Sequence, residues 1–212
     1  MQEEQELDLT ELLSSIDARE DISTTWSIED YTLNLYVDKD IEHDSLKEQT
    51  EQAMLACSEE SPIELCNVFI HSNGGDITEA FKFIDALELL QQRIPVRTII
   101  LGNAKSAGLL ISMSGTKGER YISRNSSVMS HQASLYMNNM AGRISDLAAI
   151  HEDFKKTTAA IINHYKRHTG LSKKKIQRDL MAHNDTTLTA KEAIQYNLVD
   201  KLLHNYNIFR RG

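Results

Sequence analysis

Twice in this chain a short apolar run ends in a glycine-bearing turn and gives way at once to residues at helical spacing. Val68-Phe69-Ile70 stops at His71-Ser72-Asn73-Gly74-Gly75, and Ile77, Ala80, Phe81, Ile84, Leu87 and Leu90 then recur with a helical period over residues 77–91. Asp76 stands where it can cap that helix. After Pro95 the β-branched run Val96–Leu101 stops at Gly102-Asn103-Ala104-Lys105, and the small residues Ser106–Ser112 form the next helix candidate. Strand, helix, strand, helix in this order requires right-handed crossovers, and so predicts an α/β fold with a mostly parallel sheet.

The flanking segments extend the same pattern. Tyr31, Leu33, Leu35 and Val37 alternate over a predicted strand Tyr31–Val37, and a helix is expected over Ile41–Cys57. Short strands are predicted at Tyr121–Ser123 and Val128–Ser130, then a long helix over Ala141–His168 that Thr169-Gly170 ends. A helix Ser172–Met181 follows. Thr189 and Glu192 have capping-box spacing for a helix Ala190–Tyr196, and Leu198–Leu203 reads as the last strand.

At 212 residues the chain suits one compact domain with a short appendage, assigned here to residues 26–208 and 1–25. Residues 1–20 carry seven carboxylates against Arg19 alone, most of the net charge of −8, and are expected to form a solvated, mobile acidic arm. The acidic balance argues against a nucleic-acid partner. Lys166, Arg167, Lys173, Lys174, Lys175 and Arg178 read as a solvated helical surface. Cys57 and Cys66 form no CxxC pair and are read as reduced core thiols. No basic leader and no run near the ~20 apolar residues of a membrane span is seen, so a cytoplasmic location is expected. His164 and His168 lie four apart on one helical face, but no Glu follows the first His as metalloprotease chemistry requires. They are read as a solvated pair, and neither a metal nor a cofactor is expected.

In a parallel sheet, ligands bind at loops after the carboxyl ends of strands. The loop Ser72–Asp76 places adjacent glycines before a helix, where bare amides and the helix N-terminus suit a developing oxyanion. In the loop Gly102–Gly108, Ser106 sits at a helix start among small neighbours, as a nucleophile or as a plain N-cap. His131, after the strand Val128–Ser130, can supply a neutral imidazole as base. A carboxylate must then fix the imidazole, and Asp179 and Asp185 are both candidates by position.

Four of these segments in order resemble the ClpP family, the proteolytic subunits of Clp proteases. They are His71-Ser72-Asn73-Gly74-Gly75, Gly102-Asn103-Ala104-Lys105-Ser106-Ala107-Gly108, Met129-Ser130-His131-Gln132, and Asp185-Thr186-Thr187-Leu188-Thr189-Ala190. The closing stretch Glu192–Asp200 is similar too, with Asn197 where a glycine is common, and the likeness runs from about residue 66 to 203. The resemblance implies a ClpP/crotonase-like fold of repeated β-β-α units with a protruding helical handle. It further implies a serine endopeptidase with Ser106 as nucleophile, His131 as base, Asp185 as orienting acid, and the amides of Gly75 and Ala107 as oxyanion donors. Family members stack two seven-membered rings around a chamber, which implies a homo-oligomer, unfolded protein or peptide substrates, and an AAA+ ATPase unfoldase as partner.

Three departures stand out. Ala133–Met137 replaces a Pro- and Gly-rich substrate-binding stretch, Asn184 stands where Arg is common, and residues 1–65 match poorly. The alternatives are a catalytically inactive ring subunit or scaffold with this fold, and a crotonase-like acyl-CoA enzyme.

Overall fold

A computed structural model describes residues 25–133 and 144–204. The acidic arm before Thr25, residues 134–137 of the divergent stretch, the expected start of the long helix at Ala141, and the chain beyond His204 lie outside the described residues.

The fold opens with a hairpin of β1 (Trp26–Glu29) and β2 (Thr32–Val37). Its two-residue turn puts Asp30 and Tyr31 at φ 45° and 62°, the paired positive values of a turn whose twist matches the strands. α1 spans Lys47–Ala56. The helix expected from Ile41 begins six residues later for a backbone reason: the Ile41 amide donates to the Gly74 carbonyl (2.8 Å) and the Ile41 carbonyl accepts from the Asp76 amide (2.6 Å). Ile41 is thus engaged as a strand residue beside Gly75.

β3 (Leu65–Ser72), α2 (Ile77–Leu90), β4 (Val96–Lys105) and α3 (Ala107–Met113) supply the two predicted strand-turn-helix units. Asp76 caps α2, accepting from the amides of Thr78 (2.7 Å) and Glu79 (3.1 Å). β5 (Arg120–Ser123) and β6 (Ser127–Ser130) follow, then α4 (Ile144–Thr169). A single helical turn, α5 (Lys173–Lys175), runs into a π turn over Ile176–Leu180. β7 (Thr186–Thr189), α6 (Ala190–Gln195) and β8 (Lys201–Leu203) complete the described chain, with Thr189 and Glu192 forming the predicted capping box.

The main path of the sheet runs β1-β2-β3-β4-β5-β8, and every pairing from β2 onward along it is parallel. This is the mixed α/β architecture expected. β4 is long enough to serve two neighbours: Thr98–Ile100 pair with β5, while Asn103–Lys105 pair with β6. β7 then lies antiparallel to β6 as a side branch. The core is formed by Leu33, Leu35, Val68, Ile70, Ile99 and Ile100 of the strands and by Phe83, Ile84, Leu87 and Leu90 of α2. At about 1.5–3 kcal/mol for each such side chain buried, these contacts fix the strand ends that carry the loops.

At 26 residues, α4 is about 39 Å long. Ile161, Ile162, His164, Tyr165 and Thr169 near its carboxyl end are buried, whereas residues 149–160 are exposed or half-buried, so this helix projects like a handle. Arg120, 2% exposed, grips Asp200 through Nε (2.8 Å) and Nη2 (2.5 Å) and ties β5 to the turn before β8. Burial pushes the Asp200 carboxyl up, but the Arg120 guanidinium and the Gly118 and Arg120 amides outweigh this and hold it below its usual range. Asn197 adopts φ 57°, a left-handed conformation that Asn tolerates better than other side chains, so it can replace the glycine common there. Cys66 is buried and Cys57 half-buried, both as free thiols.

Candidate active site

The end of β4 is where the sequence crowds its small residues. Ala104, Ala107 and Gly108 are buried around Ser106, which turns the chain from strand into helix at φ 51°, ψ −119°. A non-glycine residue in such a conformation is costly and needs the surrounding structure to impose it. Two constraints do so. The Ser106 amide donates to the Met129 carbonyl (2.8 Å), extending the β4–β6 pairing by one step. Gly74 presses from the other side, where a Cβ would lie 2.7 Å from both Ser106 Cβ and the Lys105 carbonyl oxygen. The sharp elbow leaves the serine side chain at the top of the sheet, and its Oγ caps no amide of α3.

That Oγ lies 2.7 Å from His131 Nε2. The strand register explains the meeting: Lys105 pairs with Met129, so the residue after β4 and the residue after β6 emerge on the same rim. A neutral imidazole accepting the Ser106 hydroxyl at Nε2 carries its own hydrogen on Nδ1. His131 is anchored through its neighbour, because Ser130 Oγ and Tyr165 Oη share a buried hydrogen bond of 2.7 Å that joins the end of β6 to α4. Burial pushes the Tyr165 hydroxyl up to about 12, so it stays a neutral hydrogen-bonding group at physiological pH.

The carboxylates separate clearly. In the antiparallel β6–β7 register Ser130 faces Thr186, so the next step outward sets His131 beside Asp185. Asp185 Oδ1 is 4.0 Å from His131 Nδ1, within ion-pair range but longer than a hydrogen bond, and its side chain is 68% exposed. Asp179 is engaged elsewhere. Arg178 holds it through Nε (2.5 Å) and Nη2 (2.9 Å), the Tyr196 hydroxyl lies 3.4 Å away, and the Arg178 hydrogen bonds keep its carboxyl below the usual range.

The candidate oxyanion amides belong to the two segments that meet at Gly74 and the elbow. Ile41 uses the carbonyl of Gly74 and the amide of Asp76, which turns the Gly75 amide to the opposite side. A Cβ on Gly75, at φ 141°, would sit 2.0 Å from the Ile41 carbonyl oxygen, so no other residue fits. Ala107 opens α3, where the first-turn amides have no helical partner. Among the described residues neither amide has an acceptor.

One connection escapes sequence reasoning. Lys105 Nζ donates to Asn73 Oδ1 (3.0 Å) and Asn73 Nδ2 to Asp40 Oδ1 (3.1 Å), stitching the glycine loop to the elbow. Asn73 read only as a turn former, and its pairing across the rim leaves no signal in local spacing. A correction concerns His164 and His168, which are not a solvated pair. His164 is 3% exposed and packs against α3, and His168 is half-buried. Lys166, Arg167, Lys173, Lys174, Lys175 and Arg178 are exposed, as expected.

A family model described as Clp protease matches residues 28–206, most of the chain. The chain belongs to the Clp protease family. It is accordingly a ClpP-like peptidase, a hydrolase, and the elbow, imidazole and glycine loop all lie inside the matched stretch. Among the described residues of this Clp protease family member, no helix is long and apolar enough to cross a membrane.

Proposed function

We propose that this peptidase is a serine endopeptidase that hydrolyses unfolded proteins or peptides with Ser106, His131 and Asp185 as its triad and the amides of Gly75 and Ala107 as its oxyanion hole. The observation that carries this reading is the 2.7 Å contact between Ser106 Oγ and His131 Nε2 at a strained elbow, with the Gly75 and Ala107 amides lacking acceptors among the described residues. Ser106 Oγ attacks the peptide carbonyl carbon as its proton passes to His131 Nε2. The carbonyl oxygen, now negative, accepts from Gly75 and Ala107. His131 returns the proton to the leaving amine, and a water activated by the same imidazole hydrolyses the acyl-enzyme. Asp185 stabilises the imidazolium, closing its 4.0 Å gap as charge develops on the ring.

The same proposal covers the assembly. A homo-oligomer of stacked rings, heptamer or tetradecamer, places α4 at the ring contact and confines the sites in a chamber. An AAA+ ATPase threads substrates into it in the cytoplasm, which makes proteolysis ATP-dependent. Residues 26–208 form the peptidase domain and residues 1–25 an acidic arm. A non-hydrolytic ring subunit is the second reading, and the exposed, distant Asp185 is the observation on its side.

The test is turnover by the purified full chain of a fluorogenic peptide and of an intrinsically unfolded protein, alongside sedimentation. The proposal predicts peptide cleavage that Ser106→Ala abolishes, in a particle of ring size. An intact ring without turnover, with or without an ATPase, supports the second reading.

A further inference from the structure

The carboxyl end of α4 carries a second cluster of chemistry-bearing side chains, which the proposed peptidase mechanism does not use. His164 and His168, one turn apart on α4, face Glu88 near the end of α2, and one donor atom from each lies within 4.8 Å of the others. We propose that Glu88, His164 and His168 form a binding site for a divalent transition-metal ion of the zinc class, clamping α2 to α4.

The donor chemistry fits. Two imidazoles and one carboxylate are a zinc ligand set that leaves a fourth position for water. Bonds of about 2.0–2.1 Å in a tetrahedron hold donors about 3.4 Å apart, and His168 Nε2 lies 3.6 Å from Glu88 Oε1. His164 donates from Nε2 to the Leu110 carbonyl at 2.9 Å, which fixes the tautomer and leaves Nδ1 as the acceptor nitrogen, turned toward Arg167. A backbone carbonyl on the far nitrogen is the usual partner of a metal-bound histidine. The Phe81 ring stands nearly perpendicular to that of His164, with centroids 5.9 Å apart, and fixes its orientation.

One further observation points to a ligand, and one cation competes with it. His168 Nε2 is buried with no hydrogen-bond partner among the described residues, a state that a buried polar atom rarely keeps without a bound group. A cation already sits where the ion would bind: Arg167 Nη2 donates to Glu88 Oε1 and lies 3.4 Å from His164 Nδ1. The Arg167 side chain is 57% exposed and can swing into solvent when the ion enters. Arg120, the other cation close by, is compensated by Asp200. The second cluster, His43, Asp44 and Glu79, has His43 87% exposed and lacks these features.

The full chain, stripped with chelator, would be titrated with Zn2+ by calorimetry and with Co2+ by visible absorption. We expect saturable binding of one ion per chain and a tetrahedral cobalt spectrum. His168→Gln and Glu88→Gln should each weaken binding by about tenfold or more, and His43→Ala should change nothing. Arg167→Ala removes the competing cation and keeps every ligand, so it should tighten binding by up to about fivefold. This variant guards against a ligand substitution that merely unfolds the cluster. Absence of saturable binding in both wild type and Arg167→Ala, or binding of unchanged affinity in His168→Gln, would overturn the site.

Discussion

Ser106 and Asp185 stand on opposite sides of one imidazole, but the chain places them by different means. Ser106 is held within a buried elbow by neighbours adjacent in sequence, by the Met129 carbonyl and by Gly74. Asp185 stands just before a four-residue strand, 68% exposed, and meets His131 only through the register of β6 against β7. One position joins a local sequence signature to buried long-range contacts, the other rests on long-range pairing alone with solvent alongside. In the proposed triad the nucleophile and base are therefore preorganised, while the acid reaches hydrogen-bonding distance only by a further movement. Electrostatic support of the imidazolium should accordingly be weaker than in a site where the carboxylate is buried, since water screens the pair.

The comparison is broken most sharply at the proposed nucleophile. Ser106→Ala and His131→Ala should each lower kcat by at least about 10,000-fold, and the double variant should be little worse than either, because residues that act as a unit are not additive. Peptide hydrolysis checks this. Gly74→Ala should come next, with a fall in kcat of about 100-fold or more, because the new methyl meets Ser106 Cβ at 2.7 Å and displaces the elbow from its amides. Its unfolding midpoint in urea should also drop, with a strain cost of about 1–3 kcal/mol at φ 95°.

Asp185→Asn should cost about 100-fold in kcat, well short of the ~10,000-fold loss seen when a buried triad carboxylate is neutralised. A loss as large as that of His131→Ala would mean that the acid is as preorganised as the base. Asp179→Asn should have the smallest effect, with peptide turnover within about twofold of wild type, since this carboxylate serves Arg178 and Tyr196.

The same distinction explains what the residues disclosed in advance. Helix α2 was legible because Ala80, Ile84, Leu87 and Leu90 keep their period and are buried, and the α6 capping box because its signal lies within four residues. Even there the pattern missed Phe83, which is fully buried while Phe81 is only partly covered. The start of α1 departs from the apolar pattern because Ile41 has a backbone partner over thirty residues away at Gly74. The hairpin partner β1 and the strand β7 are too short to show alternation, and nothing in local sequence marks Ile176–Leu180 as a π turn. In the site, Ser106, His131 and the glycine loop carry local signatures. Which of Asp185 and Asp179 stands beside His131 depends on which strand β7 joins, and residues 179–186 alone do not contain that information.

The most direct test is to treat the assembled protein with a fluorophosphonate and map the adduct by mass spectrometry. Covalent modification of Ser106, lost in His131→Ala but retained at a slower rate in Asp185→Asn, is the predicted result. An intact particle that leaves Ser106 unmodified, or that labels equally well without His131, would contradict the account.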